Sequence, residues 1–110
     1  MKNDFILAFC TVPDLNTAEK IGEVLVEEKL AACCNIIPGL TSIYRWKEKV
    51  EKEPELLLII KSVHSLLTSL EDRIKEMHPY EVPEIIAMPL MDGSNDYLKW
   101  VEENVDRKQA

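Results

Sequence analysis

Glycine is scarce. The 110 residues hold only Gly22, Gly39 and Gly93, so neither a phosphate-cradling P-loop nor the glycine-rich dinucleotide fingerprint can be written in this chain. Cysteine is no richer: Cys10, Cys33 and Cys34 form an odd set without paired spacing. Adjacent Cys33 and Cys34 would point to opposite faces of a strand, which leaves no disulfide framework and no CxxC zinc knuckle. Free thiols fit a reducing compartment. Positive charge is also thin, 13 Lys and Arg against 20 Asp and Glu for a net of −7, with no run of three basic residues. A phosphate backbone needs a concentrated positive patch, so a nucleic-acid partner is not expected. The N-terminal apolar stretch, Phe5 to Val12, is too short to span a bilayer and lacks the cleavage region of a secretory signal, so a cytoplasmic protein with no membrane partner is expected.

What is present is 46% hydrophobic and 30% charged, the composition of a globular protein, in a length that fits one domain over 1–110. Phe5 to Val12 is continuously apolar rather than alternating, the mark of a strand covered on both faces. Pro13-Asp14 closes it, and Asn16 with Glu19 has the form of a capping pair opening a helix that runs to about Lys29, with Ala18, Ile21 and Leu25 on one stripe. Gly22 inside this helix costs about 1 kcal/mol relative to Ala and suggests a close neighbour at that turn. Ala31 to Trp46 reads as a strand bent at Pro38-Gly39, the charged run Lys47 to Pro54 as a solvated hairpin tip, and Glu55 to Lys61 as a second fully apolar strand. Val63, Leu66, Leu67, Leu70, Ile74 and Met77 recur at helical spacing, and Pro79 stops that helix by His78. Val82 to Leu90 is a last strand that Pro83 and Pro89 confine to a sheet edge. After Asp92-Gly93, Ser94 or Asn95 caps a short helix with Tyr97, Trp100 and Val101 on one side.

Strand, helix, strand, strand, helix, strand is the split βαβ order of a ferredoxin-like α+β fold with an antiparallel sheet. Two helices cover only one face of four strands, yet the first and third strands read as buried on both. Several hundred Å² of apolar sheet would be exposed on an isolated subunit, and the sequence predicts that identical subunits pack through that face.

The residues able to carry chemistry are Cys10 at the end of the first strand and the cluster His78-Pro79-Tyr80-Glu81-Val82-Pro83-Glu84. Sulfur and imidazole suit copper or zinc, and Met77 beside His78 adds a thioether. Each has a plainer alternative: core packing for Cys10, a cap on the helix end for His78. His64 reads as solvated. Lys61 is either a charge reaching solvent or an anion-binding partner for Glu81 or Glu84 in a cleft. Tyr44 and Trp46 share one side of their strand and read as oligomer contacts. A Cys–His nucleophile pair has no third orienting residue or oxyanion hole in the sequence, and no enzyme is expected.

Cys10-Thr11-Val12-Pro13-Asp14, Lys29 to Asn35, Ser42 to Trp46, Glu55 to Lys61 and His78 to Ile85, in that order, resemble the CutA divalent-cation tolerance family over about Phe5 to Val105. The resemblance implies a tight ferredoxin-like homotrimer with inward-facing sheets and a long hairpin reaching a neighbour. It also implies tolerance of copper and other divalent cations, with copper ascribed to Cys10 and His78; some members have a second histidine where this chain has Met77. Glu48 stands where a glycine is common, so a differently shaped hairpin tip is expected. The trimeric fold is similar to that of PII signal-transduction proteins, which makes Trp46, Lys61, Tyr80 and Glu81 the candidates to line an intersubunit cleft for a small anionic ligand.

Overall fold

Continuous apolar sequence becomes the middle of a sheet. In the computed structural model, which describes residues 3–110, strand β1 (Phe5–Val12) is paired on both edges; Met1 and Lys2, the start of the single domain expected over 1–110, lie outside the described residues. β1 runs antiparallel to β3 (Lys49–Val63) and to β4 (Ile85–Pro89), and β2 (Cys33–Trp46) pairs with the outer edge of β3, giving the order β2-β3-β1-β4. With α1 (Leu15–Glu27) and α2 (Leu67–Met77) crossing between strands, this is the expected ferredoxin-like α+β arrangement, and β4 is the expected edge strand, shorter than Val82 to Leu90 because it starts beyond Pro83 and ends at Pro89.

The helices cover one face. Ala8, Cys10 and Val12 of β1 and Leu58 and Ile60 of β3 are fully buried against Ile21 and Leu25 of α1 and Leu70 and Ile74 of α2. A Cβ on Gly22 would stand 3.4 Å from the Cβ of Cys34, so the close neighbour inferred at that turn is β2. The appended helix α3 (Asn95–Glu103) covers one end of the second face: Phe5 and Val63 pack with Leu98, Val101 and Val105. Its inward residues are therefore Leu98 and Val101, whereas Tyr97 and Trp100, expected on the packed side, stand about two-fifths exposed. Between α3 and the far end of the sheet the second face is bare of helix. Leu7, Phe9, Leu57 and Ile59 are half-buried there, and Ile37, Ile86 and Met88 are exposed.

Several boundaries differ from expectation for local reasons. The cap of α1 is Asp14, whose carboxylate accepts the Thr17 amide at 2.8 Å, and Asn16 sits inside the first turn. α1 stops at Glu27 because Lys29 turns left-handed (φ 59°) and the Leu30 and Lys29 amides fold back on the Leu25 and Val26 carbonyls, a Schellman stop made without glycine. The charged run is strand rather than loop: β2 and β3 stay paired to Trp46↔Lys49, and only Lys47 and Glu48 form the turn. Pro54 fits because it lies beyond the end of β1, where that edge of β3 has no partner. The arm that results stretches the subunit to 46 × 26 × 22 Å. A short 3₁₀ turn, His64–Leu66, precedes α2, and another, Arg107–Gln109, follows α3.

Lys47 and Glu48 both have positive φ (49° and 68°), the two-residue hairpin geometry that favours glycine. Each non-glycine residue there costs roughly 1 kcal/mol. Glu48→Gly is accordingly expected to raise stability by ~0.5–1 kcal/mol in urea unfolding, and a destabilised variant would contradict this account of the turn. The C-terminal turn is tied down by Arg107, which donates to both oxygens of Asp4 (2.8 and 2.9 Å) and of Glu102 (2.8 and 2.6 Å). The guanidinium holds both carboxyls below their usual range. Depressed carboxylate pKa values stabilise the fold above the ordinary carboxylate range, and that contribution is lost as pH falls through the depressed values. Arg107→Met is expected to cost about 1–2 kcal/mol at neutral pH and to flatten the acid-side loss of stability, read from unfolding curves between neutrality and pH ~3.

Candidate functional site

The strongest sequence cluster meets at the end of β1. Pro79 ends α2 and leaves His78 extended (φ −80°, ψ 134°), which turns the imidazole inward and away from the helix carbonyls that the capping alternative would have it meet. His78 is buried, and both ring nitrogens are engaged: Nε2 stands 2.8 Å from the Thr11 carbonyl oxygen, and Nδ1 accepts the Tyr80 amide at 3.1 Å. Because a carbonyl can only accept and an amide can only donate, the proton sits on Nε2. Cys10 is fully buried on the helix-covered side, with its sulfur 3.7 Å from the same Thr11 carbonyl. Burial, with the nearby carboxylates of Glu84 and Glu55 adding to it, pushes the Cys10 thiol up to about 12.

Cys10 and His78 thus converge, but as donors to one carbonyl rather than as open lone pairs. A copper ligand must present a thiolate or a free imidazole nitrogen, and Met77 packs against the hydrophobic core. Cys10, Met77 and His78 therefore do not fit a preformed metal site within the subunit. Among the described residues no three Cys, His, Asp or Glu side chains converge to hold an ion. A buried thiol with a raised pKa is likewise no nucleophile.

On the other side of Thr11 the chain leaves a cleft of about 600 Å³ between the hairpin arm and the His78–Glu84 loop. Trp46, Tyr80 and Glu81 line it, and Tyr44, Thr11, Glu55 and Glu84 join them. Lys61 does not. It lies six residues along β3 from Glu55, roughly 20 Å away at strand rise, opposite Leu7 and Cys33, and its ammonium bonds Asn35 and stands 3.9 Å from the Cys33 sulfur. Neither Glu81 nor Glu84 pairs with it among the described residues. Within the subunit, three carboxylates and no Lys, Arg or His line this cleft.

Tyr80 joins the two halves of this region. Its amide fixes His78, its ring lies 4.7 Å from the imidazole centroid, and its hydroxyl donates to Glu55 at 2.7 Å. Burial first, then the hydrogen bond to Glu55, raises the phenol well above its usual range. The sequence marks Glu55 only as the start of an apolar strand. Its position gives no signal by itself, because the partner that makes burial of its carboxylate tolerable comes from 25 residues further on.

Residues 6–104 match the family model described as CutA1 divalent ion tolerance protein. The chain is 51% identical over 94 residues to a divalent-cation tolerance protein CutA of Thermus thermophilus, covering 86% of this chain and 91% of the relative. It is 47% identical over 96 residues to human protein CutA, covering 87% of this chain and 54% of that longer relative. The solved structure of the Cut A1 protein from Thermus thermophilus superposes with a TM-score of 0.91 at 47% identity, covering 93% of this chain and 99% of that one.

If His78 is a clamp, its removal strands the Tyr80 amide and the Thr11 carbonyl. His78→Ala is expected to destabilise the fold by ~2–3 kcal/mol in chemical unfolding, and native Cys10 to resist iodoacetamide that modifies the unfolded chain. A stability change under ~0.5 kcal/mol, or rapid labelling of native Cys10, would overturn this reading.

Proposed function

We propose that this chain, which belongs to the CutA1 divalent ion tolerance family, acts without catalysis as a cytoplasmic homotrimer that binds copper and other divalent cations where subunits meet. The observation that carries the reading is the bare middle of the second sheet face. Apolar side chains there, from half-buried Leu7 and Phe9 to exposed Ile86 and Met88, form one patch of the kind that marks a protein interface, and the overhanging arm adds exposed Ile43, Tyr44, Trp46 and Val50. Closed symmetry is the ordinary way to cover such a face, and three subunits would bring donors together that one subunit keeps apart. Three free cysteines support a reducing compartment. Among the described residues no helix is long and apolar enough to cross a membrane.

The test combines mass and affinity. Light scattering of the reduced protein is expected to give three times the 12.6 kDa chain mass, and a competitive copper titration against a chelator to give binding that Cys10→Ser leaves within about tenfold of wild type, a difference of ~1.4 kcal/mol. A monomer would sink the assembly. Binding abolished by Cys10→Ser in an intact trimer would instead return the metal to the buried thiol.

A further inference from the structure

The cleft between the hairpin arm and the His78–Glu84 loop has the wrong shape for a bare ion and the wrong sign for an anion. Its volume of about 600 Å³ is the size of a small-molecule site. Tyr44, Trp46 and Tyr80 supply aromatic surface, and Glu55, Glu81 and Glu84 supply charge; no basic residue lines the cleft itself, and the Lys47 ammonium stands 5.8 Å from the Trp46 ring centroid. Glu55 is the most telling of these. It is only 6% exposed, and its Oε2 accepts from Tyr80, while Oε1 has no donor among the described residues. No fully buried side-chain oxygen there is left unpartnered, so Oε1 must reach solvent, and the cleft that Glu55 lines is the way out. A carboxylate this enclosed, with one oxygen open to the cleft, is a strong acceptor for a charged N–H donor.

We propose that this cleft binds a small organic cation, an ammonium or guanidinium with an apolar body, its N–H groups on Glu55 and its body against Trp46 and Tyr44. An aromatic face attracts a cation, and the attraction grows as water is excluded. Glu81 and Glu84, both exposed, draw the ligand in and set its sign. Burial first, and then the glutamates of the hairpin strands, Glu55 among them, raise the Tyr44 and Tyr80 phenols. This goes beyond cation tolerance: a divalent metal needs several converging donors, and none are gathered here.

Three probes with one body decide it: phenethylamine, phenethyl alcohol and phenylacetate, titrated into the intact protein by calorimetry and by amide chemical shifts. Phenethylamine is expected to bind about tenfold or more tighter than the alcohol, phenylacetate not at all, with shifts centred on Thr11, Tyr44 and Glu81. The double variant Glu81→Gln with Glu84→Gln, both substitutions on exposed side chains, is expected to weaken the amine about tenfold or more, and Trp46→Leu to weaken it with the charges intact. Equal binding of the alcohol, no amine binding, or an unchanged double variant overturns the proposal. So does displacement of the amine by an equimolar divalent metal, which would make the cleft a metal site. Because mass and copper affinity are read separately, an intact copper-binding trimer with an amine-blind cleft refutes this inference alone.

Discussion

A four-stranded sheet has two faces, and the two crossover helices of a ferredoxin-like chain can reach only one of them; the rest of this molecule is arranged around that constraint. α3 covers one end of the second face with Leu98, Val101 and Val105. The middle stays apolar and bare. The far end turns polar, with Thr11, Glu55 and Tyr80 facing the cleft. Each segment differs in its exposure: one end has a helix of its own, the middle is left for the proposed neighbouring subunit, and the polar end is hydrogen-bonded. The lengths of β2 and β3 follow from the same constraint, because an arm that extends beyond the helix layer can reach a neighbouring subunit.

The polar end is organised by a single carbonyl. Thr11 presents its oxygen to His78, His78 holds the Tyr80 amide, and the Tyr80 hydroxyl reaches Glu55 on the adjacent strand. This chain of bonds ties the loop after α2 to two strands of the sheet and consumes the polar atoms that a metal would need. Proline at 79 is what makes it possible, since an extended His78 can turn inward where a helical one would follow the helix axis. The family resemblance pairs Cys10 with His78, and both side chains address Thr11. It does not reveal the direction of their hydrogen bonds, which depends on the amide and carbonyl that each ring nitrogen meets.

Much of the fold was legible because it rests on local pattern. The continuous apolar runs at Phe5–Val12 and Glu55 to Lys61, the helical spacing from Val63 to Met77, and the prolines around β4 each mark an element without reference to the rest of the chain, although Val63 itself ends β3 and α2 begins at Leu67. Gly22 signals a close approach, and the Cβ of Cys34 supplies it. The parts that differ from expectation depend on partners distant in sequence. A run of alternating charges looks like a loop until Tyr44↔Glu51 and Arg45↔Val50 pair across the hairpin and show it to be strand on an arm wet on both faces. Lys61 belongs to a strand that borders the cleft, but a strand carries its residues away from a site at about 3.3 Å per step, and six steps put the ammonium beyond reach.

Removing Lys61 from the cleft changes its chemistry more than adding any residue does. A lysine among three glutamates would give a carboxylate or phosphate one cation to meet; without it every charged group lining the wall is acidic, and Lys47 stands outside that lining, against Trp46. Charges of one sign in a concavity with low-dielectric walls focus the field instead of cancelling it, and the net charge of −7 gives no reason for the background to oppose that focus. Point ions gain least from such a site, since they surrender strong hydration for scattered oxygens. A weakly hydrated, extended cation surrenders little and gains the aromatic faces as well. Trp46 and Tyr44 therefore serve both readings of the arm, as apolar surface for a neighbouring subunit and as a wall for a ligand at the seam. The two uses are compatible only if subunits meet along the rim of the cleft and leave its floor at Glu55 open.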